Sequence, residues 1–149
     1  MQKVYKLSIL YYLAFILLLI TSAIMLFENK IGFSATSILE YYLGSEEKFI
    51  PSKGYIGVLK IILPHIFVFG LLSMVLLHFL VFTKHKYKKS TIILITSTYI
   101  IAMLEMFSPF AILSGFEFFA YVKIVSFFGF LILTVYISWL LFQSITKDN

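Results

Sequence analysis

Long uncharged apolar runs alternate with short polar turns along this chain. Leu7 to Phe27 spans 21 residues without Lys, Arg, Asp or Glu, and Ile61 to Thr83 spans 23. Thr91 to Leu113 is interrupted by a single charge, Glu105, and Ile124 to Phe142 carries none. Each run reaches or approaches the ~20 residues that cross a bilayer core at helical rise. The pattern predicts an all-α fold, a four-helix transmembrane bundle with spans over 7–27, 61–83, 91–113 and 124–142. The whole chain, 1–149, reads as a single integral membrane domain.

The first run follows Lys3 and Lys6, and Thr21-Ser22-Ala23 weakly imitates a cleavage site. A positive start and an apolar core also describe a signal peptide, but the run is long and more spans follow, so it reads as an uncleaved helix. Glu28 to Lys53 is the one sizeable polar segment. Within it, Ser37-Ile38-Leu39-Glu40 has the spacing of a capping box. Ile38, Leu39, Tyr42 and Leu43 share a helical face, and Gly44 can end the helix in a left-handed cap. This predicts a short amphipathic surface helix over 37–43, either lying at headgroup level or serving as a docking site or lid over the bundle. Ser45 to Lys48 and Pro51 to Gly54 read as solvated turns, and the Glu46-Glu47 pair has no third ligand nearby.

Composition agrees with lipid exposure. The chain is 61% apolar and 13% charged, against about 25% charged residues in a soluble domain. All 12 basic residues are lysine, so the net charge of +5 lacks the arginines on which nucleic-acid readers rely. The absence of cysteine removes disulfides, thiolate metal sites and thioether-bound haem. Lysine placement predicts the orientation. Lys3, Lys6, Lys84, Lys86, Lys88, Lys89 and Lys147 fall on one side, which becomes the cytoplasmic side, with both termini there. Lys30, Lys48, Lys53, Lys60 and Lys123 fall on the other, as do five of the six glutamates.

Ionisable groups inside a span are expensive and point to function by default. Glu105 lies about 12 Å in from the end of the third span. His65 lies about 6 Å in from the same boundary on the second. Lys60 stands one turn above His65, so Lys60, His65 and Glu105 form a candidate polar cluster. It serves either as an interhelical hydrogen-bonded clasp or as a contact for a proton, a quinone or a metal. Each acid or base sits beside a proline. Pro64 frees the carbonyl of Lys60, and Pro109 frees that of Glu105.

His78 sits deeper on the same helix, opposite Thr96 to Tyr99. It is either hydrogen-bonded there or an axial haem ligand. His65 and His78 are 13 residues apart, which turns them about 140° from one another and about 20 Å apart in depth. One haem iron cannot take both from one chain, which leaves His65 with a methionine such as Met103 or Met106, or pairing across a dimer. The expectation is no cofactor, with b-type haem as the alternative. His85 and its neighbouring lysines read as a solvated topogenic turn. No phosphate loop, His-Glu-x-x-His or activated nucleophile is present, so catalysis has no candidate residue.

Tyr41-Tyr42-Leu43-Gly44, Pro51-Ser52-Lys53, Pro64-His65-Ile66-Phe67 and His78-Phe79-Leu80 together resemble a family of small four-helix bacterial inner-membrane proteins. Many members carry a His-x-His where this chain has Leu63-Pro64-His65. The resemblance implies topology and covers about 38–84. Three functions stay open. The first is a non-enzymatic accessory, assembly or structural subunit, packed against lipid and against other membrane subunits or itself. The second is a haem- or quinone-binding redox protein using His65, His78 and Glu105. The third is a small proton-linked transporter or channel, for which the fourth span offers few polar groups.

Overall fold

The structure, a computed structural model, describes residues 3–81, 83 and 89–147. The basic turn at 84–88, with His85, lies outside the described residues. Five helices follow in order: α1 Lys3–Lys30, α2 Ala35–Leu43, α3 Tyr55–Val81, α4 Lys89–Leu113 and α5 Phe119–Lys147. α1, α3, α4 and α5 are each long and apolar enough to cross a membrane. The all-α four-helix bundle is therefore present, with α2 as a short extra helix.

The spans run past their uncharged cores. α3 begins six residues before Ile61 and includes Lys60, and α5 begins five residues before Ile124 and includes Lys123. A helix does not stop where charge begins. Its end is set by caps and by backbone partners, and lysine stems lie along apolar surface while the ammonium finds a partner.

The tightest packing joins α4 to α5. On α5, Ala120, Lys123, Phe127, Phe130, Thr134, Ile137, Leu141 and Ser144 are all buried. They follow one another at alternating steps of three and four, the knob spacing of a helix pair at a shallow crossing. The facing stripe on α4 is Thr91, Leu94, Thr98, Ala102, Glu105, Ser108 and Ile112, again buried. Small residues recur in both stripes, Thr91, Thr98, Ala102 and Ser108 on α4 and Ala120, Thr134 and Ser144 on α5. In lipid, where apolar burial gives no net drive between helices, close backbone approach supplies the attraction.

α2 starts earlier than its sequence signal. Ser34, not Ser37, is the N-cap. Its side chain accepts from the Ser37 backbone N–H at 3.0 Å, and Ser37 Oγ accepts from the Ser34 N–H at 3.3 Å. Serine thus closes the box that the sequence assigns to Glu40. Ser34→Ala should weaken α2 by about 0.5–2 kcal/mol, read as faster amide exchange over 35–38 with α3 to α5 unchanged.

Glu40 instead pairs with Lys48 at 2.7 Å. Gly44 ends α2 with φ 87°, positive as expected, but with ψ 172° it lies outside the left-handed helical region. A Cβ there would stand 2.7 Å from Ser52 N, so glycine is required. The following turn folds back through the Ser45–Ile50 bridge and a Lys53 N–H bond to the Tyr42 carbonyl.

α2 does not merely rest at headgroup level. Ile38 and Tyr42 are buried against α4 and α5, so the helix lies across one end of the bundle as the lid alternative describes.

Candidate functional site: a sideways-opening cavity under the short helix

α1 and α3 are joined at the end of the bundle away from α2. There Tyr12 Oη donates to the Leu72 carbonyl at 3.0 Å, and Phe79 meets the rings of Tyr5 and Tyr12 edge-on. Towards α2 the two helices part. α1 leans on α5 through stacked Phe27 and Phe127, 4.1 Å between ring centres. The space left between α1 and α3 is a cavity of about 530 Å³, within the ~300–1,000 Å³ usual for small-molecule sites.

Its walls are mainly apolar: Leu19, Ala23 and Phe27 from α1, Val68 and Phe69 from α3, Phe127, Phe130 and Leu131 from α5. Tyr41 and Tyr42 line it beneath α2. Six of its lining residues are themselves exposed: Ser22, Leu26 and Lys30 on α1, and Pro64, His65 and Val68 on α3. They lie on the two helices that part, so the cavity opens sideways between them, at the depth of the membrane.

The ionisable groups gather towards the α2 end. Lys123 and Glu105 form an ion pair, both almost fully buried. Lys123 Nζ also donates to the Glu105 backbone carbonyl at 2.9 Å, and Ser108 Oγ donates to the same oxygen at 3.1 Å. This is the carbonyl that Pro109, lacking an N–H, leaves without its helical donor. The proline defect therefore creates an acceptor, and a lysine from the next helix fills it. One buried cation satisfies both a carboxylate and an orphan carbonyl, which is what permits two charges at this depth.

The candidate cluster is rearranged accordingly. Glu105 is bonded to Lys123, not to Lys60 or His65. Lys60 is exposed on α3 and does not line the cavity. His65 does line it, as does Glu105, but the bond of its ring is local. Nδ1 lies 2.6 Å from the Ile61 carbonyl on its own helix. A carbonyl only accepts, so Nδ1 carries the proton, and in the neutral ring Nε2 is left as a bare acceptor. His65 also meets Phe69 edge-on at 5.9 Å.

His78 is exposed and is not part of the cavity, and Met103 is likewise exposed, whereas Met106 lines it. Among the described residues no three His, Asp or Glu side chains gather as a metal site would need. Sequence reading missed Lys123 by placing it in a loop. The signal was available in the alternating three-and-four stripe that runs through it from Ala120 to Ser144.

Residues 32–149 match a transmembrane helical domain family. The chain belongs to that family. The match takes in α2 to α5, and with them the Glu105–Lys123 pair, His65, Tyr41 and Tyr42, while α1 lies before it. The family assignment agrees with the resemblance carried by 38–84. Neither the curated proteins nor the solved structures give a match.

Proposed function

We propose that this membrane protein is a non-enzymatic binding component that takes an amphiphile sideways from the bilayer into the cavity between α1 and α3. One observation carries the reading. The cavity has mainly apolar walls, opens between two lipid-facing helices, and carries its ionisable groups towards the α2 end. An apolar tail exchanges lipid for Leu, Val and Phe side chains at little change in free energy. The polar end then decides which head is held. α2 lies over that end, and its Tyr41 and Tyr42 place two phenols above the head.

A bacterial inner membrane with both termini cytoplasmic is part of the same proposal. Seven lysines support that orientation, and moving Lys123 from the opposite loop into the bundle widens the asymmetry. A component of this kind serves neighbouring membrane subunits as an accessory by delivering or storing the bound molecule.

Ala23 lines the cavity on α1. Ala23→Phe fills it with a ring while keeping the helix apolar. Solvent extraction of the purified protein followed by mass spectrometry should show a stoichiometric amphiphile on the native chain and about tenfold less on Ala23→Phe, an effect on the order of 1.4 kcal/mol. Equal amounts on both, with equal thermal melts, would place the bound lipid elsewhere and end this reading.

A further inference from the structure

The polar end of the cavity is chemically selective. Resting on the amphiphile-binding reading above, we infer that its head site takes a neutral, planar aromatic head bearing hydroxyl groups, a quinol in place of an anionic lipid or fatty acid. Three features of the site point this way.

The first is the tautomer of His65. With Nδ1 donating to the Ile61 carbonyl, Nε2 of the neutral ring keeps a lone pair on a side chain that lines the cavity opening. A carboxylate or phosphate head offers only lone pairs and is repelled, whereas a hydroxyl donates. The second is charge. Glu105 neutralises Lys123 within the bundle, so the buried pair presents no net charge for an anion, and the other lysine of the lining, Lys30, is exposed on α1 and outside that pair. Lys123 has three N–H donors, and Glu105 takes two of them through its carboxylate and its carbonyl. One donor remains for a neutral oxygen. The third is ring surface. Phe69 stands edge-on to His65 and lies 4.5 Å from Phe130 between ring centres, and both line the cavity. Flat aromatic walls suit a flat head more than a glycerol backbone. A quinol carries a hydroxyl at each end of its ring, so it offers a donor for His65 and an acceptor for Lys123 at once.

Binding is the whole of this inference. No electron transfer is involved, and the reduced and oxidised forms of one probe serve as its test. The full chain in detergent micelles is titrated with decylubiquinol under reducing conditions, with decylubiquinone, and with decanoate, which has a ten-carbon tail but an anionic head. The quinol should bind about tenfold tighter than the quinone, because only the quinol donates to Nε2, and an acceptor that a bound ligand covers without a donor is penalised. His65→Ala should abolish that preference, and His65→Gln, which keeps a side-chain acceptor, should restore part of it. His65 is exposed on α3, and equal thermal melts confirm that the variants fold.

Equal affinity for quinol and quinone, or a preference unchanged in His65→Ala, overturns the inference. So does decanoate displacing the quinol at equal concentration. If decanoate binds best and is lost in Ala23→Phe, the cavity stands and only its head chemistry is refuted. If Ala23→Phe changes none of the three, the cavity reading falls as well.

Discussion

Lys123→Met should destabilise the bundle by about 3–5 kcal/mol, the loss typical when one member of a buried ion pair is removed. The ammonium is buried within the α4–α5 seam and serves two acceptors. Removing it strands the Glu105 carboxylate and leaves the Pro109-freed carbonyl with Ser108 Oγ alone. Glu105→Gln should be milder. It retains a side-chain acceptor and the backbone carbonyl for Lys123, and loses only the countercharge.

The double replacement Lys123→Met with Glu105→Met discriminates between a clasp and a costly pair. With both charges gone, much of the single-variant loss should return, because replacing a buried pair by apolar side chains is often near neutral. Unfolding of each variant in mixed micelles, set out as a double-mutant cycle, reads the coupling directly. A Lys123→Met protein as stable as the parent would remove the ion pair from any account of this fold. If the double variant is restored in stability but no longer retains its amphiphile, the pair acts in binding and only secondarily in holding α4 to α5.

The membrane architecture was legible because charge-free length is a direct physical requirement of crossing lipid. Nothing in the chain competes with that signal, so four spans emerge in the right places. Their ends were less legible. The predicted limits stopped at the first charge, while the helices continue through Lys60 and Lys123 because a lysine can be carried on a helix and paired or snorkelled. That single habit accounts for the site's main displacement. The sequence shows Glu105 as a carboxyl to be protonated or paired and Pro109 as freeing its carbonyl, but depth alone points to the preceding span, where His65 and Lys60 stand, whereas the pair forms with Lys123.

Depth gives no azimuth. The buried stripe of α4 faces α5, so Glu105 points to Lys123, and the three-and-four spacing from Ala120 onward would have shown it. The cavity itself was not legible. It depends on α1 leaning towards α5 at one end and α3 at the other, a matter of helix tilt that hydropathy does not encode. Ser34 was missed for a smaller reason. Two serines three apart form the same reciprocal cap that a serine and a glutamate form, and the glutamate at the next spacing masked it.

Tyr42→Ala should release α2 from the bundle. Tyr42 is 1% exposed and Ile38, one turn earlier, is fully buried, and these two side chains are the buried contacts of α2. Truncating a buried aromatic costs about 3–5 kcal/mol, comparable to all that a nine-residue helix can gain by docking. Protease cleavage within 45–53 should therefore accelerate by two orders of magnitude or more, on the order of 3 kcal/mol, while the four spans stay intact. Tyr42→Phe keeps the ring and should cleave within a few-fold of the parent.

The phenol adds a pH signature with a definite sign. Burial, then the negative charge of Glu105, then Tyr41, raise the Tyr42 phenol well above its ordinary 10.0. Burial also raises Tyr41, in the same direction. A released α2 ionises its tyrosines near 10 while the docked one keeps Tyr42 neutral. Docking is thus fully favourable below about pH 10 and weakens above it, by up to ~1.4 kcal/mol per pH unit for one proton. Cleavage measured from pH 8 to 11 should turn upward near 10 in the parent and less steeply in Tyr42→Phe. Parallel curves for the two would mean that the Tyr42 hydroxyl meets water freely, and the lid would then be held by Ile38 and the ring alone.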